Sequence, residues 1–363
     1  MGGVGQRKMD ECSADALSGK KTAGKNYGAF MIILWLSLLA CTAAILYSGT
    51  KLSKYGDIIA EKSGLGGAWI GLVLMASVTS LPELVTGISS VTYADAPDIA
   101  AGDVLGSCVF NMLIIALLDA RYSVMPISAK AHQGNILSAG FGIFLLSVVV
   151  VSLFMKDHVA PLGWIGPYSL FFIMVYFLAI RLVYFYEKRQ LTALMKEKAI
   201  ELKYKEISTK TAVVNYAVNA GIVIIAAAFL PKIGEGIAEA TGLGQTFVGN
   251  IFIAVSTSLP EVIVSLAALK IDAVDLAISN LFGSNIFNIF ILGIDDIFFV
   301  KGPLLAHVST NHIISAVSAI AMTAIAVVGL TYRAEKKRLF IAWDSAGIAA
   351  VYVINLMLLY MLK

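Results

Sequence analysis

The chain has 363 residues, of which 58% are hydrophobic and only 14% are charged, and its formal net charge is +3. Water-soluble domains are nearer a quarter charged, so an ordinary globular protein is excluded, and so small a net charge gives no reason to expect a nucleic-acid partner. Three cysteines, Cys12, Cys41 and Cys108, have neither metal-site nor disulfide spacing.

Residues 1–26 are polar and hold five Lys/Arg. No short apolar core with a small-residue cleavage site follows them, so they read as a polar N-terminal tail rather than a cleaved signal. Apolar runs long enough to cross a bilayer then recur ten times: roughly 27–48, 67–91, 99–119, 134–155, 164–185, 212–231, 245–269, 273–297, 311–330 and 341–362. The expectation is an all-α polytopic membrane protein of ten transmembrane helices. Residues 27–185 form a first five-helix unit and 211–363 a second. Between them, 186–210 mixes Lys/Arg with Glu187, Glu197, Glu201 and Glu206 and reads as a solvated, charged linker. It is too short to hold a folded sensor domain.

Of the 27 Lys/Arg, 18 fall in loops on the side opposite the termini. The positive-inside rule makes that side cytoplasmic, which puts both termini outside an integral protein of the cell membrane.

The two units repeat one another. "TSLPE" occurs at 79–83 and again at 257–261, an offset of 178. At the same offset Ala60-Glu61 matches Ala238-Glu239, Gly64-Leu65-Gly66 matches Gly242-Leu243-Gly244, and Gly71 matches Gly249. "GSCVFN" at 106–111 matches "GSNIFN" at 283–288, at offset 177. Five spans is an odd number, so the second unit enters the membrane from the opposite side. The result is an inverted repeat, an architecture that recurs in secondary transporters with the binding site near the midplane.

Each repeat carries two residues that a lipid-embedded helix avoids. Pro82 and Pro260 lack an N–H and clash one turn back, so they break spans two and seven and free carbonyls around 76–79 and 254–257. Glu83 and Glu261 lie near mid-span, where a charge costs about 2.5–3.5 kcal/mol on insertion scales. The other acids of the spans, including Asp103, Asp119, Asp275, Asp295 and Asp344, lie near span ends. No Lys or Arg lies at the depth of the glutamates, so each needs a proton or a bound cation. Around them stand the hydroxyls of Thr79, Ser80, Thr257 and Ser258 and the amides of Asn111 and Asn288. Ser107 and Asn111, and likewise Ser284 and Asn288, share a face at i, i+4 spacing. Such hard oxygen donors suit Ca2+, Na+ or Mg2+, whereas zinc and copper call for nitrogen or sulfur. Glycines in "GDVLGS" and "NLFGS" permit close helix approach.

The segments "SVTSLPELVTGISSV…AGDVLGSCVFN" and "AVSTSLPEVIVSLAAL…ISNLFGSNIFN" resemble the paired alpha repeats of the cation/calcium exchanger superfamily, in its sodium/calcium exchanger branch of prokaryotic type without a large regulatory loop. In that resemblance the alpha motifs span 76–111 and 254–288. It implies that Glu83, Glu261 and the carbonyls of Thr79 and Thr257 hold Ca2+. It implies that Na+ uses the same glutamates, the carbonyls of Ala76 and Ala254, the hydroxyls of Thr79, Ser80, Thr257 and Ser258, and Ser107 and Ser284, with Asn111 and Asn288 completing the centre. Two departures stand out. Val78 and Ser256 occupy the place of a usual glycine before "TSLPE", and Asp103 stands where many microbial members have asparagine. Asp103, four residues into its span, reads as a solvated vestibule acid.

The expected activity is Na+/Ca2+ antiport by alternating access, with no cofactor, no catalytic residue and no obligate protein partner. The partners are the two ions and membrane lipid. Potassium is not required, because the K+-dependent branch has aspartate in place of Asn288. The alternatives are a Ca2+/H+ antiporter of the same superfamily and, from another class, an intramembrane enzyme with paired carboxylates. The enzyme reading is disfavoured because catalytic pairs sit in unlike environments, while these two are near copies.

Overall fold

A computed structural model describes residues 30–56, 58–59, 76–122, 125–132, 134–156, 158–194, 207–337 and 340–362. The N-terminal tail, most of the charged linker and the matched positions 60–61, 64–66 and 71 lie outside the described residues. Among the described residues the regular structure is helical, apart from a single bridge between Leu162 and Ile165.

In chain order the helices are α1 (Phe30–Gly56), α2 (Ala76–Thr79), α3 (Leu81–Ser89) with a π-helical turn at Ser90–Ala94, α4 (Pro97–Arg121), α5 (Ile127–Lys130), α6 (Asn135–Phe154), α7 (Pro167–Leu194) and α8 (Thr209–Thr241). Then come α9 (Gln245–Val248), a π-helical turn at Gly249–Ile253, α10 (Ala254–Thr257), α11 (Leu259–Lys270), α12 (Val274–Phe298), α13 (His312–Tyr332) and α14 (Trp343–Met361). Eight of these are long and apolar enough to cross a membrane, and α9 to α11 make a ninth if taken as one bent span. The expected span at 67–91 is described only from Ala76 onward.

Two helices outrun their apolar stretch. α7 continues to Leu194 where 185 was expected, and α8 runs through Pro231 to Thr241. Hydropathy marks the lipid boundary, but backbone hydrogen bonding continues past it, aided on α8 by the Lys232–Glu235 pair at 2.9 Å. α8 stops at Gly242, whose φ of 70° closes a left-handed cap.

α4 and α12 are the centre of the bundle. Their apolar windows are 89% and 78% buried, against 11% for α1 and 28% for α8 and α14. The outer helices turn Phe177, Ile225 and Met357 outward, as contact with lipid requires. α4 and α12 pack antiparallel. An ion pair between Asp95 and Lys301 ties the start of α4 to the end of α12, and one between Lys130 and Asp272 ties the other two ends. At Gly106 a Cβ would lie 2.3 Å from the Asn250 carbonyl oxygen, so the π-helical turn presses directly on the α4 backbone.

Matching positions do matching work. Asp95 and Asp272, 177 apart, both adopt left-handed φ, 56° and 61°, where the chain leaves one helix for the next. Asp119 accepts a hydrogen bond from the backbone of Ile127 at 2.9 Å, and Asp296 accepts one from Leu304 at 2.5 Å, each eight residues on.

Candidate cation-binding site

The two "TSLPE" segments fold alike. In each, one helix ends at the threonine and the next begins at the leucine. Ser80 (φ −87°, ψ 14°) and Ser258 (φ −87°, ψ 8°) form the joints. Proline follows as the second residue of the new helix, where its missing N–H costs nothing. The second break bends the chain by 44°. The breaks therefore fall at the serines, just ahead of the prolines, and each glutamate sits in the first turn of a new helix.

Glu83 and Glu261 are fully buried, as are Thr79, Ser80, Ser107, Asn111, Thr257, Ser258, Ser284 and Asn288. The Ser258 hydroxyl donates to Glu83 Oε1 at 2.8 Å, and the Ser80 hydroxyl donates to Glu261 Oε1 at 3.1 Å. Each break thus holds the other break's glutamate. Ser107 lies 3.4 Å from Glu83 Oε1 and Ser284 lies 3.4 Å from Glu261 Oε1, which repeats the pattern from α4 and α12. Ser258 and Ser107 also touch, at 2.8 Å. The Thr79 hydroxyl engages Glu261.

The second oxygen of each glutamate, Oε2, has no protein partner, and neither have Oδ1 of Asn111 and Oδ1 of Asn288. Among the described residues no Lys or Arg pairs with Glu83 or Glu261, and no three of His, Cys, Asp and Glu converge. The arrangement is two carboxylates surrounded by neutral oxygens, a donor set for hard cations. Such a carboxylate without a counter-ion is costly unless a proton or cation neutralises it.

Of the twelve residues expected at the site, Ala254 is only partly as anticipated. Its carbonyl is not left free by the break, since it accepts from the Ser258 backbone at 3.0 Å and from the Thr257 hydroxyl at 3.1 Å. Nothing is described of the Ala76 side chain, which stands at the edge of the described residues.

Asp103 is not a solvated vestibule acid. It is fully buried, and the Thr257 hydroxyl lies 2.8 Å from its Oδ1. The hydropathy boundary at 99 put it near an end, but α4 begins at Pro97, which sets Asp103 in its second turn, and the 249–257 segment packs against it there. Thr79 and Thr257, equivalent in sequence, therefore bond different acids. Asp119, Asp295 and Asp344 are likewise buried although they lie near helix ends.

Asn285 is a site neighbour that no motif match in the sequence marks. Its Oδ1 accepts from Asn111 Nδ2 at 3.0 Å, and its Nδ2 donates to the Cys108 carbonyl at 3.2 Å. It fixes the Asn111 amide so that Nδ2 is engaged while Oδ1 stays free. The only hint lay in the third letter of "GSC" and "GSN", where Cys108 and Asn285 are partners in the repeat.

The family model described as sodium/calcium exchanger protein matches residues 33–185 and 211–361. An uncharacterized membrane protein of Methanocaldococcus jannaschii is 28% identical over 264 residues, 71% of this chain and 80% of that protein. The sodium/calcium exchanger MaX1 of Methanosarcina acetivorans is 24% identical over 357 residues, 90% of this chain and 98% of its own length. Among solved structures, the sodium-calcium exchanger NCX_Mj soaked with Na+ and Sr2+ shares the fold, with a TM-score of 0.56 and 22% identity over 89% of this chain and 97% of that one.

Proposed function

This chain belongs to the sodium/calcium exchanger family, and from that premise we propose that it exchanges Na+ for Ca2+ across the cell membrane by alternating access, without a requirement for K+. It is a transporter and not an enzyme, as its relatives are. The observation that carries the reading is the crossed pair of hydrogen bonds, Ser258 to Glu83 and Ser80 to Glu261, which leaves one oxygen of each buried glutamate unpaired.

The physics is electrostatic. With both glutamates ionised the site carries −2, and moving that charge through a low-dielectric barrier is unfavourable. One Ca2+ neutralises it, and so do several Na+. A site that switches sides only when neutralised is an exchanger rather than a leak. Na+ is preferred over a proton as the counter-substrate because the site is rich in hydroxyls and amides, which a proton does not need. The name and near-complete overlap of the Methanosarcina relative favour the same choice. In this reading Glu83, Glu261 and the Thr79 and Thr257 carbonyls hold Ca2+. Na+ adds the Ala76 carbonyl, the Ala254 carbonyl once the Thr257 hydroxyl turns from it to the ion, the hydroxyls of Thr79, Ser80, Thr257 and Ser258, and Ser107 and Ser284, with Asn111 and Asn288 at the centre.

We also read the architecture as ten helices in two inverted five-helix units, 27–185 and 211–363, joined by a cytoplasmic linker at 186–210, with both termini outside. The paired roles of Asp95 with Asp272, Asp119 with Asp296 and Ser80 with Ser258 support this. The test replaces either glutamate with glutamine in protein reconstituted in vesicles. Ca2+ uptake is lost while the protein still elutes as a folded species; uptake retained by either variant removes the site assignment.

A further inference from the structure

α12 carries another polar group on the face of Ser284 and Asn288. Asp295 follows Asn288 by seven residues, two turns along the same face. It is fully buried, and neither of its carboxylate oxygens has a protein partner. The carboxylate lies against the backbone of α3 at Gly87, where a Cβ would fall 2.3 Å from Oδ2 and 2.5 Å from Oδ1. Gly87 is one turn beyond Glu83, so this second acid stands next to the central site but outside it. Asp103 on α4 also has a buried Oδ2 without a partner, and Asp103 and Asp296 both lie within electrostatic range of Asp295. The neighbouring Asp296 is different in kind. It accepts from the backbone of Gly166 and Leu304 and from the hydroxyls of Tyr168 and Ser169.

The first half of the chain has no such acid. The Asp119–Asp296 match sets Leu118 against Asp295, and the "GSC"/"GSN" match sets Asn280 against Asp103. Asp103 and Asp295 both lie between the centre and the end of the bundle marked by the Asp95–Lys301 pair. The equivalent places toward the Lys130–Asp272 end hold a leucine and an amide. At these two matched positions one approach to the centre carries a carboxylate where the other carries a leucine or an amide.

We propose that Asp295, with Asp103 nearby, is a second cation-binding station on the route between the central site and the Asp95–Lys301 end, taking Ca2+ or Na+ in transit; this rests on the cation-exchange reading above. A buried carboxylate with no partner is otherwise held neutral or is severely unfavourable. Among the described residues no three acids converge there. The ion is then held by one carboxylate with water or backbone oxygens, weakly enough to move on. A negative group in a low-dielectric passage raises the local cation concentration.

The test uses the full chain in right-side-out and inside-out vesicles, with the half-saturating Ca2+ concentration measured from each face. The variants are Asp295→Asn, which has the shape of a protonated acid, and Asp295→Leu, which copies the residue at the matching position. The expected result is a rise of about tenfold from the Asp95–Lys301 face and less than about twofold from the other. No change from either face means that the carboxyl is neutral and idle, and overturns the proposal. An equal rise from both faces makes Asp295 part of the central site, and also overturns it, as does failure of both variants to fold. If the unaltered protein moves no Ca2+ at all, it is the exchange reading that falls.

Discussion

The hydroxyl of Ser258 donates to Oε1 of Glu83 across 2.8 Å and 175 residues of chain. The reciprocal bond from Ser80 to Glu261 is 3.1 Å and spans 181 residues. Neither broken helix positions its own carboxylate with its own serine, so displacing one break disturbs the acid of the other.

Removing these hydroxyls should therefore weaken Na+ handling. A hydrogen bond to a charged group contributes about 1.5–3 kcal/mol, so Ser258→Ala is expected to raise the Na+ concentration that half-drives Ca2+ uptake by roughly tenfold or more. Ser80→Ala should act in the same direction and less strongly, because its bond is longer and lacks the additional contact that Ser107 makes with Ser258. Na+ dependence unchanged in both variants would mean that the serines serve packing alone.

Asn288 governs the expectation about potassium. It is fully buried and its Oδ1 has no protein partner. An aspartate in its place would add a negative charge close to Glu83 and Glu261 and call for one more monovalent cation. Exchange by the unaltered protein should continue when K+ on both sides is replaced by choline, and Asn288→Asp should make transport sensitive to K+ or to acid. A strict K+ requirement in the unaltered protein would refute this account of the amide.

Asp296 should prove structural. It accepts four hydrogen bonds, from Gly166 N (2.7 Å), Tyr168 OH (2.8 Å), Ser169 Oγ (2.6 Å) and Leu304 N (2.5 Å). Asp296→Ala strands these donors in the interior and should cost about 1–3 kcal/mol for each donor left without a partner. Melting in detergent should show the loss, while the protein that remains folded keeps its Na+ dependence. A shifted Na+ dependence with an unchanged melt would place Asp296 on the ion path instead.

Much of this was legible in the sequence because lipid tolerates so little. A glutamate and a proline inside an apolar run need an explanation, and their recurrence at a fixed offset supplies one. The residues that escaped notice depend on contacts between distant segments. Asp103 is buried because the 249–257 segment, some 150 residues away, packs over the second turn of α4, and no window of local hydropathy reports that. Asn285 was hidden because its partner in the repeat is Cys108, so matching residue types drew attention past it. The lengths of α7 and α8 were missed because a helix ends where its hydrogen bonds are capped, not where the apolar residues run out.

The central claim, that Na+ drives the exchange, is most directly tested with purified protein in sealed vesicles loaded with Na+ and diluted into Na+-free medium containing radiolabelled Ca2+. The same uptake is then measured with an imposed pH gradient and no Na+. The account predicts rapid Ca2+ accumulation in the first case and background uptake in the second. Accumulation that follows the pH gradient and ignores Na+ would contradict it and make the protein a Ca2+/H+ antiporter.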